Sequence, residues 1–459
     1  MRYLTDDLPG TGGLIKGEPE DFRVTEVPLY EASGRGEHVY LLVEKRGLGS
    51  LEAAERIARA LGRPRRMVGL AGLKDARGLT RQWMSIEGVD PDRAARLDLA
   101  GIRILEVRRH RNRLKIGHLA GNRFEVRVRG CVPGAVGRAR AVLDVLGRRG
   151  VPNWFDRQRF GRRGDNHLLG RALVLGQHGE FCARFLGRPS EADPPRIAEA
   201  RRRFDAGDLA GAQRLFRGQH DAQRVLQALV RSRDAPPLPS QSAPGEYTGG
   251  DAASPLAVRS PWIPGGPSAA RAARALPKQL ARLLVSAYQS DLFNACLERR
   301  LADFDRLEAG DLAYIHAKGA VFLVERPQEE QPRADRFEIS PSGPIVGHRV
   351  RLAEGRPGEI ERAVLSEKGA APADFERVKA LRLRGERRPL RAPLGDATVE
   401  ADGEDLVLAF ALPPGAYATV VLAEVMKAEP PAASGHPVNG HPAASGQPPM
   451  AEGPSAENH

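Results

Sequence analysis

A chain of 459 residues, 41% hydrophobic and 28% charged, carries apolar material for two or three packed domains and is not disordered throughout. Its formal net charge of +12 points to a polyanionic partner, with nucleic acid the commonest, although arginine enrichment alongside abundant Ala, Gly and Pro would produce the same excess. Its three cysteines, none at Cys-x-x-Cys spacing, argue against a zinc knuckle or an iron–sulfur cluster and fit a reducing compartment.

In chain order, the glycine-rich Gly10–Gly13 lacks the Lys-Ser/Thr ending of a phosphate loop. Leu14–Lys16 and Phe22–Glu26 read as short strands on either side of a turn, and His38–Lys45 as a strand rich in β-branched and aromatic residues. Ser50 is placed to cap a helix through Leu61, with Leu51, Ala54, Ile57, Ala58 and Leu61 on one face. A short apolar run, Val68 to Ala71, then breaks at Gly72, presents Lys74 and Asp75 side by side, and breaks again at Gly78. From Gln82 the chain alternates, Trp83 and Ser85 against Met84 and Ile86, so strand, polar loop, strand is predicted. A carboxylate on a loop between two rigid elements is a common position for a catalytic group. Loop aspartates also serve as turn formers and helix caps.

Residues 101–130 are strongly basic, with Arg108–Arg113 followed by Lys115. Phe124, Val126 and Val128 alternate with Glu125, Arg127 and Arg129, the pattern of a half-buried strand whose basic outer face suits phosphates. Residues 136–149 read as a helix. The stretch Val151–Asn166, dense in aromatic, Arg and Asn residues, fits either stacking on splayed RNA or a buried aromatic cluster braced by arginines. Residues 168–233 read as helices, with Asp193 as an N-cap before Pro194, and 234–267 as an exposed connection. The long helix predicted over 277–302 is polar at its centre, Ser286–Asn294, which suggests a buried hydrogen-bond network. Short strands follow over 310–352, a helical stretch over 357–384, a strand at Asp405–Leu412 and a helix at Ala416–Met426. Low complexity from Glu429 onwards predicts a disordered tail, 429–459. No apolar run reaches membrane-spanning length and the first residues resemble neither a signal nor a transit peptide, so a cytoplasmic protein without membrane association is expected.

Taken together these stretches resemble the TruD family of tRNA pseudouridine synthases. The resemblance is carried by Leu14-Ile-Lys-x-x-Pro-Glu-Asp-Phe-x-Val-x-Glu26, by Ala71-Gly-Leu-Lys-Asp75 with Thr80, Gln82 and Trp83, and by Gly121-Asn-Arg-Phe124. Gln158-Arg-Phe-Gly161, Ser286 to Asn294 and Leu412-Pro-x-Gly-x-Tyr-Ala-Thr419 continue it in order. It implies an α/β (α+β) fold: a catalytic domain around a mixed, mostly antiparallel sheet, built from residues 1–152 and 377–428 and interrupted by the family's insertion domain at 153–376. It further implies isomerisation of a uridine, the family target being uridine 13 in the D-arm of tRNA, with Asp75 as nucleophile or base and with no metal or other cofactor. The family's substrate-contact positions fall on Phe22, Asn122 and Tyr417, where many members carry Phe in place of Tyr417. Phe124 is a further candidate for packing at the site. Lys16 and Lys74 are candidates to hold the carboxylate anionic or to contact phosphate. The expected partner is tRNA, met by a monomer. Alternatives in view are a synthase acting on another RNA and an RNA-binding or RNA-folding protein with secondary catalysis. A zinc nucleoside deaminase lacks its His/Cys-x-x-Cys site here.

Overall fold

The computed structural model describes residues 2–74, 76–231 and 266–427. The tail expected to be disordered, and all but the last two residues of the 234–267 connection, lie outside the described residues.

Six strands in the first part of the chain are β1 (Phe22–Pro28), β2 (His38–Arg46), β3 (Val68–Leu70), β4 (Leu79–Glu87), β5 (Ile102–His110) and β6 (Leu119–Val128). With the hairpin Gly395–Asp402/Asp405–Leu412 they form an eight-stranded sheet. Its order runs from the hairpin through β6, β1, β4 and β2 to β5, with β3 also paired to β4. Every pairing is antiparallel except β1 with β4, so the mixed, mostly antiparallel sheet is present. The predicted strand at Leu14–Lys16 is reduced to one bridge, Leu14 to Arg129. Lys16 sits at φ 62°, a left-handed conformation that ends extension.

Period-two alternation places two cores on one face of this sheet. Val24 is registered with Phe124 on one side and Thr80 on the other, and Thr80 with Lys45. Phe22, Val24, Phe124, Val126 and Phe410 pack under the helices Ala135–Arg149 and Ala418–Met426. Leu41, Val43, Met84 and Ile86 pack under the helix Ser50–Ala60. Between these clusters the same face buries a polar strip, Glu26, Lys45, Thr80 and Gln82.

The middle of the chain packs differently. Helices between Asn166 and Arg274 gather around the long helix Lys278–Arg300. Leu284, Val285 and Tyr288 of that helix bury in the helical cluster, whereas Phe293 and Leu297 bury in the sheet cluster, so it joins the two. A smaller four-stranded sheet of Glu386–Pro389, Ile339–Ile345, Leu312–Ile315 and Val321–Leu323 lies beside it. The polar centre of the long helix makes the expected network. Asn294 accepts from Phe155 N and donates to Phe155 O, each at 2.9 Å, and Gln289 donates to Val346 O at 2.6 Å.

Two local expectations shift. The helix expected to be capped by Asp193 starts at Pro195, with Pro194 as its cap residue. Asp193 instead accepts from Ser190 N at 2.9 Å and faces Arg201 at 3.3 Å. Ser50 is the first residue of its helix, not the cap, and its hydroxyl points elsewhere, as described below.

His316 on the small sheet shares a 2.9 Å hydrogen bond with Ser340 Oγ, and burial, with Arg391 nearby, pushes its pKa down to about 4. A histidine depressed below its unfolded value adds stability that is complete above about pH 6.5 and is lost as pH falls towards 4. Unfolding by denaturant should therefore become easier across that window by ~2 kcal/mol, discounted for partial solvent access. His316→Gln should flatten the slope, and an unchanged slope would assign it to other groups.

Candidate active site

The loop between β3 and β4 is tied down at three points. Gln82 Nε2 donates to Gly72 O at 3.3 Å. Lys74 N donates to Ser50 Oγ at 2.7 Å, and Ser50 Oγ donates to Gln82 Oε1 at 2.6 Å. Lys74 Nζ reaches Glu26 Oε2 at 2.7 Å, with side chains only 5% and 1% exposed. The other Glu26 oxygen accepts from Trp83 N at 3.3 Å. Burial pushes the Glu26 carboxyl pKa up, while Lys74 pulls it back. A buried pair of this kind needs both partners, because either charge alone would be stranded away from water. The next residue, Asp75, lies outside the described residues.

The predicted site residues converge on β1. Phe22 is 4% exposed, with its ring centroid 6.1 Å from that of Phe124, which in turn stacks on Phe410 at 5.4 Å. Phe124 is thus part of the core beneath Phe22. Lys16 Nζ lies 4.2 Å from the Phe22 ring centroid, a cation–π contact worth roughly 0.5–2 kcal/mol. Gly78 lets the loop return against Phe22, since a Cβ there would meet Phe22 O at 2.6 Å. Asn122 is registered opposite Glu26, and its Oδ1 is buried with no hydrogen-bond partner among the described residues. Thr80 Oγ1, in the polar strip, is in the same state. Leu412 is registered on the other side of Asn122, and Tyr417 follows in the same loop. The Tyr417 ring is 6.3 Å from that of Phe155, over which the Arg388 guanidinium lies at 4.2 Å.

The aromatic segment after 151 is chiefly internal. Trp154 and Phe155 are buried, and Arg388 and Arg159 brace Phe155, so neither ring is open to stack on RNA. The basic outer face of β6 is also partly neutralised. Arg123 pairs with Asp396, Arg127 with Asp402 and Asp405, and Arg129 with Asp21. Glu26 was the functional residue least visible beforehand. The signal for it was a carboxylate in phase with Phe22 and Val24, on the buried side of a strand. A cavity of about 160 Å³ opens beside it, lined by Tyr30, Tyr40, Trp83 and His118.

These features agree with comparison to known proteins. The family model described as tRNA pseudouridine synthase D (TruD) matches residues 1–425. The tRNA pseudouridine synthase D of Geobacter metallireducens is 47% identical over 430 residues, covering 93% of this chain and 98% of that protein. The protein of the same description from Anaeromyxobacter dehalogenans is 38% identical over 432 residues, covering 94% and 97%. A crystal structure of the corresponding protein from Methanosarcina mazei superposes with a TM-score of 0.76 at 26% identity, covering 94% of this chain and 97% of that one. The chain belongs to the TruD family.

Proposed function

We propose that the chain isomerises uridine 13 in the D-arm of tRNA to pseudouridine, with Asp75 acting on the sugar as nucleophile or base. As a family member it is a tRNA pseudouridine synthase, an isomerase. The reaction breaks the N1–C1′ bond, turns the base and joins C1′ to C5. It is redox-neutral and consumes no water, so a carboxylate is a sufficient reacting group. The observation that carries the reading is the buried anchoring of Gly72 and Lys74, which holds the residues leading into Asp75 beside the polar strip. Asn122 Oδ1 supports it as an unused acceptor, suited to an N–H on the edge of an extruded uracil. Phe22, braced by Lys16, bounds the same face.

The same reading divides the chain into a catalytic domain of residues 1–152 and 377–428 and an insertion domain of 153–376. The short pairing of Val151–Pro152 with Arg391–Ala392, near both junctions, supports that division. The protein is taken to act as a cytoplasmic monomer.

Chemical mapping of pseudouridine in tRNA from a strain lacking the gene tests the substrate. The D-arm modification should disappear and return with the wild-type gene. Persistence of the D-arm modification in the deleted strain would move the target to another RNA.

A further inference from the structure

The largest groove described lies away from the polar strip, at the start of the helix Asn166–Val174, and encloses about 470 Å³. Arg157, Phe160, Arg162, Arg163, His167 and Asp291 line it. Its charge is uneven. Asp291, its only acid, is already paired with Lys368 at 3.0 Å, and Arg163 is engaged by Asp165 at 3.3 Å and by the carbonyl of Arg188 at 2.7 Å. Arg157 and Arg162 are exposed at the rim, and Arg162 makes no ion pair among the described residues. On the wall, the Phe160 and His167 rings meet edge to face at 5.3 Å. His167 Nδ1 is buried and has no hydrogen-bond partner among the described residues. Burial also lowers the His167 pKa, so the ring is neutral near pH 7 and its polarity is available to a ligand.

The groove is directly connected to the substrate side of the catalytic domain. Phe155 packs on Tyr417, Thr419 Oγ1 donates to Asp156 Oδ2 at 2.8 Å, and Arg157 follows at the groove rim. Chain running from Tyr417 into the groove is therefore continuous. Gly161 and Gly164, at φ 79° and 71°, line the groove and leave its wall free of bulk.

We propose that this groove is a second RNA subsite, which holds a backbone phosphate of the substrate between Arg157 and Arg162, with a base or sugar against Phe160 and His167. The inference rests on the tRNA-modifying reading above and adds a contact outside the uridine site. Guanidinium groups beside an aromatic wall suit phosphate and nucleoside together.

The test is equilibrium binding of a full-length tRNA transcript to the whole protein over a range of salt concentrations. Arg157→Ala/Arg162→Ala should weaken binding about tenfold and lower the salt slope by nearly two, roughly one for each lost phosphate contact. Arg326→Ala/Arg336→Ala removes two exposed charges from another surface and should change the slope little. Equal slopes in wild type and the rim variant would overturn the proposal, as would an equal loss in both double variants. Both rim side chains are exposed, so the fold should survive the change. A wild-type protein that neither binds nor modifies tRNA would fail the underlying reading, whereas an active wild type with an unaltered rim variant would fail only this subsite.

Discussion

Asp75→Asn should abolish pseudouridine formation while tRNA still binds to within about twofold. Asparagine keeps the size of the side chain and removes its ability to attack a sugar carbon or accept its proton. Loss of the reacting group should lower the single-turnover rate by at least about 10³-fold. The substitution leaves intact the anchors on either side of it in the site, namely Gly72 O on Gln82, Lys74 N on Ser50 and Lys74 Nζ on Glu26. Unfolding by denaturant should accordingly match wild type. Quantifying pseudouridine in transcript tRNA after a single turnover is the measurement. A variant that still forms it at more than a few per cent of the wild-type rate would remove Asp75 from the chemistry.

Glu26→Ala is expected to have the larger structural effect. It leaves the Lys74 ammonium buried without its counter-ion, a change that costs about 3–5 kcal/mol. Whole domains are stable by only about 5–15 kcal/mol, so much of the protein should unfold or lose its loop. The double variant Glu26→Met/Lys74→Met removes both charges and should recover most of that stability. Its activity should stay low, because the loop then lacks one of its three anchors. Denaturant unfolding and single-turnover rates, measured on the same three proteins, separate the two effects. Full recovery of rate in the double variant would make the pair a matter of stability alone. A Glu26→Ala protein within about 1 kcal/mol of wild type would mean that Lys74 finds water or another partner.

Elements with clean local periodicity were legible in the sequence. Asp405–Leu412 alternates without interruption, and its even-numbered Leu406, Leu408, Phe410 and Leu412 are all buried. The helix at Ser50 shows its apolar stripe plainly. Other elements depend on partners distant in sequence. Ile339–Ile345 contains two prolines and a glycine, yet is fully buried as a strand because its neighbours Leu312–Ile315 and Glu386–Pro389 supply the pairing. Ile102–His110 is crowded with arginines, which conceals an edge strand that pairs only through β2. The same distinction holds at the site. Phe22, Asn122, Lys74 and Tyr417 could be named from motifs, but the meeting of Lys74 with Glu26 spans 48 residues and no local pattern reveals it. Ser50 was read as a cap because caps are what serines at helix starts commonly provide. Its hydroxyl is taken instead by Gln82 and the loop.

The last observation concerns the two ends of the sheet domain. Glu424, fully buried, accepts from Leu4 N at 2.7 Å, from Thr5 N at 3.2 Å and from Thr5 Oγ1 at 2.7 Å. The strand Asp405–Leu412 likewise pairs with β6, which precedes it by the whole middle of the chain. These are non-local contacts of the most widely separated kind, and such contacts form slowly. During synthesis β1 to β6 emerge long before the hairpin that covers the open side of β6, and the helical middle has time to fold first. Until residue 424 has left the ribosome, that edge stays unpaired and the first residues lack their anchor. Phe124 and Val126 meanwhile lack the Phe410 and Leu408 that flank them in the finished sheet. A truncation just before Asp405 should therefore yield an aggregating chain, with no smaller working enzyme inside it.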